Sequence, residues 1–274
     1  MKHAIDKASP FLIDFFYIFM RTKIVFMLSL LVLSTVLTAQ TKVIAHRGYW
    51  KPEGSAHNSI SSLINAQKLG VYGSELDVHL TADNVLVVFH DNLIQGHEIS
   101  SSTYAELRDL KIANGESLPT LEAHLLQAKK HKKTKLIIEI KPKKDIELEN
   151  RTVLAVLELV RKHKLQKRVE YISFSINICK ELVKLKAKAP VAYLCMSGVA
   201  YTPKELKEWG ICGLDYHHSL LLQHPEWIIE AKALGLTTNV WTVNVNDLIQ
   251  KFIELKVDYI TTDVPDKVME MLRK

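Results

Sequence analysis

Acidic, basic and histidine side chains recur where short apolar segments of the chain end. These side chains are His46, Arg47, Glu75, Asp77, His90, Glu139 and Lys141. Residues two apart in a strand share one face, which groups Glu75 with Asp77 and Glu139 with Lys141. Carboxylates that face one interior repel one another and lose hydration, so they need a cation between them.

A hard divalent cation meets that need. Carboxylate oxygens are the ligands that Mg²⁺ and Ca²⁺ prefer in proteins. The chain has no His/Cys spacing typical of a zinc site, and its three cysteines form no CxxC pair. We therefore predict that Glu75, Asp77 and Glu139 are the metal ligands.

The basic and histidine side chains indicate what such a site would bind. Arg47 and Lys141 add positive charge beside the ion, which favours an anionic group, most simply a phosphate. Histidine titrates near neutral pH, so His46 and His90 are candidates for the proton donor and acceptor. The predicted chemistry is proton transfer by the two histidines at a bound phosphate group.

Short apolar segments alternate with amphipathic ones from Thr41 onward. The predicted strands are 43–46, 74–78, 136–140, 169–174, 191–195, 212–215, 238–243 and 258–262, and the predicted helices are 58–69, 121–131, 147–163, 176–188, 203–209, 225–234 and 246–255. This alternation indicates parallel βαβ units, and eight strands predict a closed (β/α)8, or TIM, barrel. Barrel enzymes carry their chemistry at the C-terminal ends of the strands, where the residues named above lie.

One segment breaks the alternation. ELDVHLTADNVLVVFHD (75–91) has no room for a helix, and its turn-rich TADN (81–84) predicts a hairpin. Its second arm would lean on the second strand rather than add a ninth barrel strand, with Glu75 roughly opposite His90. Residues 92–120 would then form a small, mostly polar insertion over the barrel end.

The N-terminus differs in character from the rest. MRTKIVFMLSLLVLSTVLTAQ (20–40) has a basic start, an apolar stretch and small residues before Gln40, which is typical of a secretory signal. We predict that residues 1–39 are a signal peptide cleaved near Ala39 or, alternatively, a retained membrane anchor, and that residues 40–274 are the barrel. The protein would be exported, to the periplasm or cell envelope.

Composition bounds the possible partners. The 274 residues carry a mild net charge of +6, and the basic run KKHKKTK (129–135) lacks the interleaved aromatic residues of a single-strand binding surface. This run is best interpreted as a solvated segment. We therefore predict a small-molecule substrate and no nucleic acid, and the sequence does not determine the oligomeric state.

The motifs AHRG, ELDVHLTAD, VFHD, LPTLEAHL, EIKP, VWTVN and YITTDVP occur in this order from Val43 to Pro265. Together they closely resemble those of the glycerophosphodiester phosphodiesterases. The resemblance implies a TIM barrel with a small insertion, and Ca²⁺ or Mg²⁺ as cofactor. It also implies roles for the matching residues: acid–base catalysis for His46 and His90, phosphate binding for Arg47 and Lys141, metal binding for Glu75, Asp77 and Glu139, and a substrate-pocket wall for Trp241.

One departure from the family pattern lies near the site. Where the family usually has P-E-N-T, this chain has SAHNS (55–59), so His57 replaces a carboxylate while Asn58 is kept. The exchange removes none of the three proposed ligands, although it changes the charge close to them.

The resemblance implies hydrolysis of glycerophosphodiesters to glycerol 3-phosphate and an alcohol. The attacking group would be either the neighbouring glycerol hydroxyl, giving a cyclic intermediate, or water. Two other functions stay open: a phospholipase-like phosphodiesterase that releases a cyclic product, and a barrel that binds phosphodiesters without turnover. The sequence does not determine the headgroup alcohol or the physiological cation.

Overall fold

The structure is a computed structural model that describes residues 40–273. Within them, eight parallel strands close into a barrel, because β1 pairs with both β11 and β2. The strands are β1 (Lys42–Ala45), β2 (Gly73–Leu80), β3 (Leu86–Val88), β4 (Leu93–Ile94), β5 (His97–Glu98), β6 (Lys135–Ile140), β7 (Val169–Ser173), β8 (Val191–Cys195), β9 (Gly213–His217), β10 (Thr237–Trp241) and β11 (Tyr259–Thr262). The predicted TIM barrel is confirmed.

Helices connect successive barrel strands and cover the outside of the barrel. They span Ile60–Leu69, Tyr104–Leu107, Leu121–Lys130, Ile146–Lys162, Ile176–Lys184, Pro203–Glu208, His218–Gln223, Glu226–Ala233, Asn246–Glu254 and Pro265–Met271, with a 3₁₀ turn at Ile99–Ser101. Side chains that accept backbone N–H groups fix several helix starts. The hydroxyl of Ser175 accepts from Ile178 N, and Thr202 forms a reciprocal capping box with Glu205.

The barrel interior is filled by side chains from alternate positions of the strands. Ile44, Ile137, Ile172 and Leu194 form one buried cluster there. At Gly73 an added Cβ would lie 2.8 Å from the Ile137 side chain, so this inward position has room only for glycine. The opposite face of each strand packs against the helices, which leaves the strand ends at the mouth free to carry polar groups.

The hairpin arm is present, but its register differs from the prediction by one residue. β3 runs antiparallel to β2 and pairs Val78 with Val88, whereas the predicted turn would pair Val78 with Val87. The turn holds an extra residue because Asn84 adopts a left-handed conformation (φ 64°) and the Thr81 hydroxyl accepts from Val85 N. As a result the ladder places Leu76, and not Glu75, in line with His90.

The segment between β3 and the helix Leu121–Lys130 forms a small structure with its own apolar cluster. The cluster consists of Ala56, Val87, Ile94, Ile99, Leu107, Ile112 and Leu118. It includes the β4–β5 hairpin and packs against the loop after β1 through Ala56. The insertion is therefore attached to the barrel beside the β1 and β2 strand ends.

The predicted N-terminal signal or anchor falls on residues 1–39, which lie outside the described residues. Among residues 40–273, no helix combines the length and the apolar character needed to span a bilayer.

An acidic side chain on β9 is buried in the barrel interior. Asp215 on β9 is 2% exposed, and its Oδ1 has no hydrogen-bond partner. Burial raises its pKa to about 8. The group is therefore protonated in the folded protein at neutral pH, whereas in the unfolded chain it is ionised above about pH 4.

Asp215→Asn should remove this pH dependence. Between about pH 4 and 8 the folded state holds a proton that the unfolded chain has lost, so the contribution of Asp215 to stability falls as pH rises. We expect the free energy of unfolding of the variant, relative to wild type, to increase by roughly 3 to 4 kcal/mol from pH 5 to pH 8. Urea titrations at both pH values measure it, and a pH-independent difference would contradict the prediction.

Candidate functional site

Three carboxylates meet at the barrel mouth. Glu75 and Asp77 lie on β2 and Glu139 lies on β6, and one oxygen atom of each lies within 4.8 Å of the others. The parallel register places Asp77 directly beside Glu139. All three side chains are buried, with relative exposures of 4%, 1% and 7%. The three carboxylates therefore lie close together as predicted. Their role as metal ligands stays a prediction.

The loop after β1 closes over this cluster. Arg47 adopts a left-handed conformation (φ 55°), which brings its backbone N–H within 2.7 Å of Glu75 Oε2. Gly48 follows with φ 78°, and a Cβ there would collide with Ser62. Glycine is therefore required after Arg47 for the loop to pack against the helix Ile60–Leu69.

Asp77 is held by an amide from the same loop. Asn58 Nδ2 donates to Asp77 Oδ2 at 2.8 Å, and Asp77 N donates to Asn58 Oδ1 at 3.1 Å. Asn58 is itself buried and left-handed (φ 60°). This reciprocal pair fixes the orientation of the carboxylate, and the sequence analysis gave Asn58 no role.

The two predicted phosphate-binding cations lie against the cluster. Lys141 Nζ is 2.7 Å from Glu139 Oε1 and 3.1 Å from Asp77 Oδ1, and Arg47 Nε is 3.5 Å from Asp77 Oδ2. Burial alone would raise the pKa of Asp77, but Lys141 and Arg47 outweigh it and hold that pKa below its usual value. Asp77 is therefore ionised.

The pKa values of the other two carboxylates, Glu75 and Glu139, are raised instead of lowered. Burial, followed by the charge of Asp77, raises the pKa of Glu75 well above its usual value and that of Glu139 to about 7. Glu75 Oε1 is buried and accepts no hydrogen bond. A buried oxygen that accepts no hydrogen bond and lies close to the oxygen atoms of two other carboxylates suits a hard cation such as Ca²⁺ or Mg²⁺.

His46 is oriented by a carboxylate from the far end of the chain. Its Nδ1–H donates to Asp263 Oδ1 at 2.8 Å, and Trp50 Nε1 donates to the same oxygen at 3.2 Å. Asn244 Nδ2 donates to Asp263 Oδ2 at 2.7 Å. Burial would raise the pKa of Asp263, but these bonds, led by that from His46, hold it below the usual range.

Asp263 lies two residues before Pro265, a position typical of a helix cap, but it does not cap the last helix. The helix Pro265–Met271 starts after Val264 with no side-chain cap. The carboxylate instead fixes the His46 tautomer, because a proton held on Nδ1 leaves Nε2 free to accept another. The sequence feature that could have indicated this role is that Asp263 directly follows a barrel strand, where site residues lie.

His90 lies on the other side of the mouth, after the hairpin arm. Its Nδ1 is 2.6 Å from Asp91 Oδ1, and its side chain is 40% exposed. Burial lowers the pKa of His90, while Asp77 opposes that shift. His79, buried on β2, contacts the backbone of His90: its Nε2 lies 3.4 Å from the His90 carbonyl oxygen. Lys143 Nζ donates to the Nδ1 of His79 at 2.9 Å.

Trp241 stands at the end of β10, across the barrel from the insertion. Its Nε1 donates to the Asp215 carbonyl at 3.0 Å. Its ring meets those of His217 and Phe174 edge to face, at centroid distances of 5.1 and 5.5 Å. The indole is therefore fixed from two sides, and its role as a wall of the substrate pocket stays a prediction.

A cavity of about 490 Å³ opens between the loop after β1 and the insertion. Arg47, Asn58, His90, Trp50 and Lys111 are among the residues that line it. His57 is exposed in this cavity, with its ring 4.1 Å from that of Trp50. The carboxylate that the family usually has at this position is thus replaced by an aromatic contact.

Comparison with known proteins gives a consistent result. Residues 46–267 match the model of the glycerophosphoryl diester phosphodiesterase family. A glycerophosphodiester phosphodiesterase of Caldanaerobacter subterraneus subsp. tengcongensis is 28% identical over 255 residues, which cover 86% of this chain and 99% of the relative.

Solved structures agree with the fold. The chain is 51% identical to a glycerophosphodiester phosphodiesterase from Parabacteroides distasonis, with a TM-score of 0.83 over 86% of this chain and 98% of that one. A phosphodiesterase of Oleispira antarctica, solved in complex with its product sn-glycerol-3-phosphate, shares the fold with a TM-score of 0.75 and 24% identity over 86% of this chain and 98% of that one.

Proposed function

Because the chain belongs to the glycerophosphoryl diester phosphodiesterase family, we propose that it hydrolyses glycerophosphodiesters to glycerol 3-phosphate and an alcohol, with a divalent cation and two histidines. One observation carries the proposal. Glu75, Asp77 and Glu139 are buried together at the mouth, with Arg47 and Lys141 against them and an open cavity beside them. Such a site suits an anionic ester rather than an uncharged one.

The acidic residues and the basic residues have separate tasks in this proposal. Glu75, Asp77 and Glu139 would hold the cation, which when bound withdraws charge from the phosphodiester oxygens. Arg47 and Lys141 bind the non-bridging oxygens and stabilise the charge that develops on them, usually the largest contribution to such reactions. Asn58 keeps Asp77 in place through its two hydrogen bonds.

The two histidines are assigned different roles by their surroundings. His46 is the general base, since Asp263 holds a proton on its Nδ1 and leaves Nε2 to accept one from the attacking hydroxyl. His90 is the general acid: it lines the cavity beside the insertion, where the leaving alcohol would lie, and Asp91 stabilises its protonated form. The attacking group is the neighbouring glycerol hydroxyl, after which water opens the cyclic phosphate.

Asp263→Asn tests the base assignment. The amide oxygen can still accept a hydrogen bond from Nδ1–H, but it has no negative charge to stabilise the imidazolium ring that forms when His46 takes a proton. We therefore expect kcat to fall about 10²-fold with KM changed little. A change confined to folding would instead lower the melting temperature and scale all rates equally. An unchanged kcat would remove Asp263 from the mechanism.

The function itself is tested by product analysis. Purified protein, stripped with a chelator, is given glycerophosphocholine and other headgroup esters with Ca²⁺, Mg²⁺ or Mn²⁺ in turn. We expect glycerol 3-phosphate and the free alcohol only when a cation is restored. A cyclic phosphate as the final product would favour the phospholipase-like alternative, and binding without any product would favour the non-catalytic barrel.

We also propose that the protein acts outside the cytoplasm, with residues 1–39 as a signal peptide or membrane anchor. The basic start and apolar stretch that precede the barrel support this placement. N-terminal sequencing of the protein recovered from cell fractions distinguishes cleavage near Ala39 from retention of the segment.

A further inference from the structure

The end of the barrel opposite the mouth has a basic side. Three successive connections from a helix to the next strand, 131–134, 163–168 and 185–190, lead into β6, β7 and β8, which are neighbours in the barrel. These connections contain no Asp or Glu. Their exposed lysines lie together on one surface, which we call the basic face: Lys132, Lys133, Lys164, Lys167, Lys186 and Lys188.

The ammonium groups of the basic face are not used inside the protein. Within residues 40–273, none of these six side chains takes part in a salt bridge or a hydrogen bond. By contrast, Lys162 and Lys184, in the helices just before two of the connections, pair with Glu122 and Glu181 at 2.9 and 2.8 Å. Like charges that share a surface repel one another, so the basic face favours an anionic partner.

The backbone shows that some of these lysines occupy positions that suit glycine better. Several helices end in a turn with one left-handed residue before the next strand. Glycine adopts this conformation freely, whereas a residue with a Cβ is strained in it. The position is held by glycine in three connections and by lysine in three others: Gly70, Gly210, Gly235, Lys164, Lys186 and Lys256. Strain of this kind indicates a side chain with a role beyond folding.

The helix dipole does not explain the basic face. It favours cations in the last turn of a helix, and its effect falls off beyond that turn. Lys133, Lys167 and Lys188 lie three, five and four residues after the last residue of the preceding helix. At the mouth the charge is opposite in sign, since residues 92–120 carry four acidic and two basic side chains. The two ends of the barrel therefore differ in charge.

The chain also enters the barrel at the end that carries the basic face. β1 starts at Lys42, and Gln40 just before it is exposed. A membrane anchor, one of the two alternatives proposed for residues 1–39, would therefore be attached at this end of the barrel and not at the mouth.

From these observations we propose that the basic face binds the surface of a membrane that contains anionic phospholipids, with the barrel mouth facing away from the bilayer. One lysine beside an anionic surface strengthens binding only about fivefold, but six on one face act together. In this orientation the mouth opens to water, which suits a soluble diester and not a lipid that stays in the bilayer.

Vesicle sedimentation tests the proposal with residues 40–274. This part contains the whole closed barrel and its apolar core, so it folds without the preceding segment, whose apolar residues would bind lipid by themselves. We expect binding to phosphatidylcholine vesicles with about one third phosphatidylglycerol, and none to phosphatidylcholine alone. Raising the salt from about 0.05 M to about 0.5 M should lower the partition coefficient about tenfold or more, because exposed charges are screened.

Variants locate the binding surface. Lys164→Gly combined with Lys186→Gly removes two charges and relieves two left-handed positions. Its affinity for the anionic vesicles should fall about tenfold or more, while its melting temperature should not fall. The matched control is Lys204→Gln combined with Lys267→Gln, which removes two exposed charges from helix starts at the mouth end and should bind like wild type. Both double variants should turn over glycerophosphocholine at the wild-type rate.

Three results would overturn the inference. One is no binding at low salt, or equal binding to vesicles with and without phosphatidylglycerol. The second is an equal loss of affinity in both double variants, which would indicate net charge and not the basic face. The third is displacement from the vesicles by duplex DNA at an equal concentration of phosphate, which would assign the face to nucleic acid. Turnover of glycerophosphocholine is measured separately, so these results leave the proposed function intact.

Discussion

His46→Ala and His90→Ala are each expected to lower kcat for glycerophosphocholine by about 10³-fold, the usual size of a general acid–base contribution. Both side chains lie at the mouth rather than in the apolar core, so the melting temperature should change little. His97→Ala is the matched control, because His97 is exposed on β5 in the insertion. Near-wild-type turnover by both active-site variants would show that the acid–base assignment is wrong.

The same variants separate the base from the acid. A glycerophosphodiester with a p-nitrophenol leaving group needs no proton on the departing oxygen. With that substrate His90→Ala should lose less than about tenfold in kcat, whereas His46→Ala should keep its full loss. Equal losses by both variants would contradict the assignment of His90 as the acid.

Glu75→Gln is expected to abolish cation-dependent activity and to remove most of the stabilisation that the cation gives to the fold. Without a cation the buried carboxyl of wild type has no partner for Oε1, so the amide variant should melt at the same temperature as wild type or higher. With cation at 100 times its Kd, wild type should gain about 2.7 kcal/mol and the variant should gain much less.

The carboxylate control for this experiment is Glu53→Gln. Glu53 is exposed in the loop after β1 and is not part of the buried cluster. Its variant should bind the cation and turn over substrate like wild type. Cation affinity that falls equally in both variants would indicate a general charge effect rather than a site built by Glu75.

The barrel was predictable from the sequence because its strands are buried on both faces. The segment LIIEI (136–140) is apolar at every position except Glu139, and β8 has the predicted limits, Val191–Cys195. The carboxylate cluster was predictable for a related reason: alternation along β2 places Glu75 and Asp77 on one face. Two short helices, Tyr104–Leu107 and His218–Gln223, were not predicted, since neither is long enough to show a period of 3.6 residues.

The partners of the catalytic candidates were not predictable in the same way. His46 and Asp263 are 217 residues apart, and only barrel closure brings the two strand ends together. An acidic residue just before a helix is also typical of a helix cap, so the local sequence around Asp263 does not reveal its contact with His46. Likewise the side chain of Thr81 and the left-handed Asn84 lengthened the hairpin turn by one residue, which hydrophobic patterning does not reveal.

The most direct measurement is to locate the cation in crystals. Protein grown with Mn²⁺ and sn-glycerol 3-phosphate would be examined by anomalous scattering. We expect one peak within about 2.6 Å of oxygen atoms from Glu75, Asp77 and Glu139, with the phosphate contacting Arg47 and Lys141. A peak elsewhere, or no peak between these carboxylates in crystals of active protein, would contradict the account.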